Sequence, residues 1–387
     1  MERDPRRYPD FEFNLRELAG SMGDFGTLFP LAIGLIAVNG MDPTGLFVML
    51  GLTNIATGLI YRLPMPVEPK KVVSAAAIAQ GWPASTVVAS GLGLGLIWFA
   101  ITATGAVRRL VRVTPVYIIR GIQLALGVSL ALGAIEMSVP EPWLMLVALA
   151  IIFLFRRSPY APSALVIMAL GVGIMALRGD LAGRVAFSLS LPAFSVPTLR
   201  DVWNGLLWAG FAQIPLTLTN AVLATATMIR DLFPEKPVSE ERLMVNMGAM
   251  NVAASFFGGM PMCHGSGGLA GQYYFGARTG GTNILEGLIE VALGVLLGRS
   301  LLDLLSAFPM PLVGGMMLVV GFQFARPVLK LRGVPLALCL LTAAVSVATN
   351  MAVGFAVGLG AAHLLPRLGL PAPQSPSPKE AQPHGPC

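Results

Sequence analysis

Two proline-broken stretches hold the residues best suited to chemistry. The first is Leu63-Pro64-Met65-Pro66-Val67-Glu68-Pro69, followed by Lys70-Lys71-Val72-Val73-Ser74. Its prolines remove backbone donors and clash with the preceding turn, so regular helix is expected only after about Pro69. The second is Gly258-Gly259-Met260-Pro261, followed by Met262-Cys263-His264-Gly265-Ser266-Gly267-Gly268, with helix expected from near Gly265. A helix beginning there points free N–H groups and the positive end of its dipole at whatever lies in front. Two such ends facing each other would hold an anion, and Gly265, Gly267 and Gly268 would let the backbone come close to it. The run from Gly265 to Gly271 is no phosphate loop, because no strand signal precedes it and no Lys follows.

Polar residues inside apolar runs are further candidates. Asp24 and Thr27 stand in Gly23-Asp24-Phe25-Gly26-Thr27; Gln213, Thr217 and Asn220 share one face of a later helix. The threonines could equally bond the carbonyl of the preceding turn. Asn54 and Asn251 read as hydrogen-bonding packers between helices, and Gly91, Gly93 and Gly95 as close-packing positions. Cys263 and His264 have no partner pair at metal-ligand spacing, so neither a metal nor a cofactor is expected.

The elements that position these residues follow from composition. Charged residues are 12% and hydrophobic residues 55%. The mean hydropathy is +0.73. A soluble domain would carry about 25% charge. Apolar runs of bilayer-spanning length recur along the chain. Fourteen segments are expected, at 23–39, 43–61, 66–80, 84–106, 116–135, 142–155 and 160–177, then 202–228, 240–259, 262–275, 282–299, 309–326, 334–349 and 351–366. No cleavable signal peptide is expected ahead of them. The cations test the count. With the N-terminus in the cytoplasm, Arg62, Arg108, Arg109, Arg112, Arg156, Arg157, Arg230, Lys236, Arg242, Arg278, Arg326, Lys330, Arg332 and Arg367 all fall on that side. The net charge of +6 is therefore read as topology rather than as a nucleic-acid surface. Three cysteines at unrelated spacings form no disulfide framework.

The halves resemble each other. Asn54 precedes Pro64-Met65-Pro66 as Asn251 precedes Pro261-Met262-Cys263, and Pro115, Gly121 and Gly127 are matched by Pro309, Gly315 and Gly321. Seven segments is an odd number, so the second copy enters from the opposite side, the inverted-repeat plan of secondary transporters. The expected organisation is a cytoplasmic segment 1–22, a first repeat 23–177, an extracytoplasmic linker 178–201, a second repeat 202–366, and a disordered Pro-rich cytoplasmic tail 367–387. The fold class is an all-α polytopic membrane protein in a cell membrane, with both termini cytoplasmic.

Three blocks are also familiar: Gly23-Asp24-Phe25-Gly26-Thr27-Leu28-Phe29-Pro30, then Pro64 to Lys71, then Pro261 to Tyr273. They resemble the molybdate transporter family, a branch of the SulP sulfate-permease superfamily without the C-terminal STAS domain. Gly276-Ala277-Arg278-Thr279 is similar to the SulP signature after segment ten. The resemblance covers almost all of residues 15–366. It implies the SulP/uracil-permease fold, with a core and a gate domain and with short segments three and ten. Substrate would bind between their ends and helices one and eight, at Asp24, Thr27, Glu68, Lys71, Gln213, Thr217, His264, Gly265, Ser266 and Gly267.

In one place the chain departs from the family. Glu68 stands where the family usually has Gln. Two helix N-termini and Lys71 would nearly balance a dianion such as molybdate or sulfate. Glu68 upsets that balance unless it takes up a proton or pairs with Lys70. An inside-negative potential of 100 mV opposes dianion entry by about 4.6 kcal/mol, so accumulation needs coupling, most simply to protons through Glu68 or Asp24. The expected function is import of a tetrahedral oxyanion by alternating access, molybdate first and sulfate next, possible also as a homodimer. Rival readings are a carrier for bicarbonate or a nucleobase on the same fold, or an anion channel. A membrane enzyme is disfavoured, since no nucleophile–base pair stands near the few histidines.

Overall fold

The computed structural model describes residues 8–106, 114–155, 163–181, 187 and 189–364. The tail 367–387, the first seven residues and part of the 178–201 linker lie outside the described residues, as do the side chains of residues 24–27.

Helices dominate. A short α1 (Leu15–Ser21) leads through a tight 3-10 turn into α2 (Phe25–Ala37), α3 (Pro43–Tyr61), α4 (Lys71–Gln80), α5 (Ala84–Thr104), α6 (Val116–Ser138), α7 (Pro142–Phe155) and α8 (Ser163–Arg178). The second half holds α9 (Leu199–Leu232). There follow α10 (Glu240–Ser255), α11 (Ser266–Tyr274), α12 (Gly281–Ala307), α13 (Met310–Ala325), α14 (Gly333–Ala348) and α15 (Met351–Leu364). Among the described residues, six helices are long and apolar enough to cross a membrane, and shorter apolar helices stand between them. α1 has no counterpart in the expected segments.

The boundaries have local causes. Asp42 caps α3, its carboxylate accepting from the Thr44 and Gly45 amides at 3.1 and 3.2 Å, with Pro43 as the first helical residue. Gly81 and Gly105 close α4 and α5 in the left-handed conformation, which costs glycine little. Ser239 caps α10 by accepting from the Arg242 amide.

α9 is longer than its expected segment. It stays helical through Pro215 by widening to π turns at Leu206–Gly210 and Thr217–Ala224. Such widening accommodates a lost backbone donor and often marks a site.

Between α3 and α4, and between α10 and α11, the chain is extended. Glu68–Pro69 (β1) pairs antiparallel with Met262–Cys263 (β2), Glu68 opposite Cys263 and Pro69 opposite Met262. The Lys70 amide adds a 2.8 Å bond to the Pro261 carbonyl. Extended backbone buried in an apolar fold must find partners for its polar groups. Asparagines supply them. Asn251 donates to the Met262 carbonyl at 2.7 Å and accepts from the Met262 amide at 2.8 Å. Asn283, from α12, does the same for Met65, at 2.6 and 3.0 Å. Asn54 holds Asn283 by accepting from its amide at 2.9 Å and donates to Glu290 at 2.8 Å. Both repeat-matched asparagines thus serve packing.

α3 lies along α12, α5 along α10, and α6 along both α13 and α14, while α7 packs on α13. Exchanging each element with its repeat counterpart turns the α3–α12 pair into α10–α5, and the α6–α14 pair into α13–α7. Gly127 and Gly321, matched by spacing, meet directly. The Gly321 carbonyl lies 2.5 Å from where a Cβ on Gly127 would stand, and the Gly127 carbonyl 2.7 Å from a Cβ on Gly321. Only glycine allows this backbone approach.

Candidate functional site

The β1–β2 ribbon sets two short helices end to end. α4 has ten residues and α11 nine. At 1.5 Å per residue each is about 15 Å long or less, roughly half of the hydrocarbon thickness of about 30 Å. Neither first turn carries a cap from its own N-cap side chain, so their amides look outward for partners.

At α4 the partner comes from far along the chain. Gln213 Oε1, on α9, accepts from the Val72 amide at 2.8 Å and the Val73 amide at 3.4 Å. Its amide nitrogen donates to Thr217 Oγ1 at 2.8 Å, which fixes the orientation of the group. Asn220, one turn further, accepts from Ser266 Oγ at 2.6 Å. The polar face of α9 thus touches the first turn of both half-helices, through Gln213 at α4 and Asn220 at α11.

Beside the start of α11 stands a carboxylate. Glu68 is 1% exposed. Its Oε2 would stand 2.7 Å from a Cβ on Gly265, and its Oε1 closer still to one on Gly268. The missing side chains make room for the carboxylate against the start of α11, where the helix dipole favours negative charge. Lys71 Nζ reaches the same carboxylate at 2.9 Å. The pairing expected between Glu68 and Lys70 is therefore corrected: the i+3 residue Lys71 is the partner, and the pair is interior rather than at a surface mouth. Gly267, next to this contact, is exposed, and a Cβ there would meet open space.

His264 is fully buried. Its Nδ1 lies 2.9 Å from the Pro66 carbonyl, so that nitrogen donates the proton, and the Tyr61 ring meets the imidazole edge-on at 5.7 Å. The ring ties the approach to α11 to the approach to α4. Of the sequence-selected residues, Glu68, Lys71, Gln213, Thr217, His264, Gly265, Ser266 and Gly267 come together around the ribbon. The backbone at Asp24 ends the turn before α2 and that at Thr27 lies in the first turn of α2, and their side chains lie outside the described residues.

Sequence reasoning missed the burial of other polar groups. Lys70 is fully buried over the Trp98 ring, 5.9 Å from its centroid. Glu286 and Glu290 are buried on α12, Gln272 of α11 donating to Glu286 at 3.4 Å. The rule that ionisable groups in apolar helices deserve notice applies to both glutamates. Glu17 of α1 is buried as well, accepting from the Arg278 and Thr279 amides at 3.1 and 3.2 Å and from the Thr282 hydroxyl. It latches α1 to the start of α12.

Comparison with known proteins agrees with this geometry. A family profile described as "Molybdate transporter of MFS superfamily" matches residues 16–130 and 205–324. Molybdate transporter 1 of Arabidopsis thaliana is 31% identical, over 90% of this chain and 87% of its own length. Molybdate transporter 1 of Chlamydomonas reinhardtii is 30% identical, over 89% of this chain and 90% of its own. In fold, the chain is similar to the transmembrane domain of the cyanobacterial bicarbonate transporter BicA, with a TM-score of 0.64 at 18% identity over 89% of this chain and 97% of that one. It is similar also to SLC26A9, with a TM-score of 0.68 at 13% identity over 94% of this chain and 66% of that one. At such identities these structures speak for the fold alone. With the profile spanning both halves and full-length relatives at this identity, the chain belongs to the molybdate transporter family.

Proposed function

We propose that the chain imports a tetrahedral oxyanion across a cell membrane by alternating access, with molybdate as the first substrate and sulfate as the second. The observation that carries this reading is the pair of half-helices whose first turns meet at the β1–β2 ribbon, flanked by the polar face of α9. Each helix start contributes about half a positive charge, and Lys71 a full one. In the conformation described, Gln213 occupies the first amides of α4, and Glu68 lies beside Gly265 and Gly268 at the start of α11. Substrate entry exchanges the Gln213 acceptor for an oxyanion oxygen, and its return helps release it. The hydrogen bonds at the start of α4 are thereby kept through the cycle.

Both termini are assigned to the cytoplasm, and the halves to a seven-plus-seven inverted repeat, on the cation distribution and the exchanged helix contacts. Coupling to protons follows from the opposing membrane potential, with Glu68 and Asp24 as the candidate carriers.

The test is equilibrium binding to purified protein in nanodiscs. Molybdate and tungstate are expected to bind, sulfate to compete more weakly, and Ser266→Trp to abolish all three. Binding that survives Ser266→Trp moves the site elsewhere. Uptake by Glu68→Gln at several pH values tests the carrier role, and an unchanged pH profile removes Glu68 from it.

A further inference from the structure

Lys70 takes no part in the arrangement above. Its side chain is 0% exposed, and Nζ has no hydrogen-bond partner. Among the described residues, its aromatic contact is with the Trp98 ring, and a cation–π contact offsets only part of the desolvation of a buried ammonium. Around it, α5 carries no charged residue, and the charged residues of α9 and α10 sit towards their ends. The facing strand offers Cys263, with His264 following it. Among the described residues, the remaining local charges are those of Glu68 and Lys71, already paired with each other.

The count then runs differently from the one the sequence invited. Two helix starts contribute about one positive charge together. Lys71 adds one, Glu68 removes one, and Lys70 restores it. The sum matches a dianion only if Lys70 is included.

We infer that Glu68 and Lys70 form a compensating pair that acts without direct contact. Lys70 supplies the positive charge that offsets Glu68, and so keeps the site matched to a doubly charged oxyanion. This rests on the substrate reading above and assigns Lys70 as the residue that sets substrate valence. With the offset in place, no excess negative charge remains for a proton on Glu68 to neutralise. That narrows the candidate proton carriers to Asp24.

The test is a charge cycle in the full chain reconstituted in nanodiscs, titrated with molybdate and, as a monovalent probe, nitrate. Lys70→Met is expected to weaken molybdate on the order of tenfold or more. Glu68→Gln is expected to tighten it by a comparable factor, and the double variant to return to within about threefold of wild type. Nitrate should move by about the square root of the molybdate factor in each case, because it carries half the charge. Lys70→Arg should behave as wild type. If Lys70→Met fails to fold, Glu68→Gln and Lys70→Arg still decide. Unaltered molybdate affinity in Glu68→Gln, or weak binding in Lys70→Arg, overturns the pair, as does a double variant as weak as Lys70→Met. Wild-type protein that binds no dianion sinks the substrate reading itself, and the inference with it.

Discussion

Gly268→Ala puts the packing of Glu68 against α11 to a sharp test, with Gly267→Ala as its control one residue away. A Cβ at Gly268 would lie 2.8 Å from Pro66 Cβ and 3.0 Å from Pro66 Cγ, and closer still to Glu68 Oε1. The proline ring cannot rotate aside, and the Pro66 carbonyl is held by His264. The carboxylate is held by Lys71. Neither neighbour can yield without moving β1. Overpacking of this kind costs about 1–3 kcal/mol, which is about 5- to 150-fold in the folding equilibrium. At Gly267 an added Cβ meets nothing within 4 Å, and Ala is favoured over Gly in a helix by up to about 1 kcal/mol. Thermal unfolding of detergent-purified protein, followed by size-exclusion fluorescence, should therefore show Gly268→Ala melting below wild type and Gly267→Ala at or above it. Molybdate binding should weaken in Gly268→Ala along with the displaced strand. Equal melting of wild type and Gly268→Ala, or equal losses in the two variants, would refute the placement of Glu68.

Other perturbations separate the remaining supports. Asn283→Ala strips the Met65 amide and carbonyl of their partners, and two unpaired buried groups should cost about 2–6 kcal/mol in a denaturation series. Gln213→Leu leaves the Val72 and Val73 amides unpaired; transport assays should show a loss of uptake far larger than the loss in melting temperature, because the same amides are offered to substrate. Glu17→Ala releases α1 from Arg278, Thr279 and Thr282, and protease digestion should then cut ahead of α2 faster than in wild type. At the solvent-facing edge, Lys236 and then Arg62 hold the Asp10 carboxyl below its ordinary range. A carboxylate whose folded value is depressed stabilises above its unfolded value and loses that contribution as the pH falls through the folded one. Asp10→Asn should therefore cost less than about 1 kcal/mol at neutral pH, as exposed pairs do. Its difference from wild type should vanish on titration well below about pH 4.

Much of the architecture was legible in the chain because its causes are local. Three closely spaced prolines, at 64, 66 and 69, break helix ahead of α4, and Gly258, Gly259 and Pro261 do so ahead of α11, so both late starts could be read before any coordinates. Apolar length marked the helices. Repeated Asn, Pro and Gly spacings predicted that the two halves correspond, and the glycines matched in that way, Gly127 and Gly321, prove to touch. The outline of the site was legible for the same reason: Gln213, Thr217 and Asn220 share a face by helical periodicity alone.

Partners were not legible. Glu68 could have reached Lys70 or Lys71, since two residues along a strand and three across the strand-to-helix junction are both short steps. The turn into α4 settled it, carrying Lys71 towards the carboxylate and burying Lys70 against Trp98. Asn283 binds Met65, 218 residues away, and Gln213 caps an amide 141 residues away. No periodicity encodes such pairings, because they depend on where whole helices come to rest against each other. Backbone covalent constraint and hydrophobic length act within a few residues, so the sequence alone determined which segments are helical, where they break and which faces are polar. Buried charges and amides find partners only after packing has brought distant segments together, so the tertiary structure alone decided which side chains the broken ends receive.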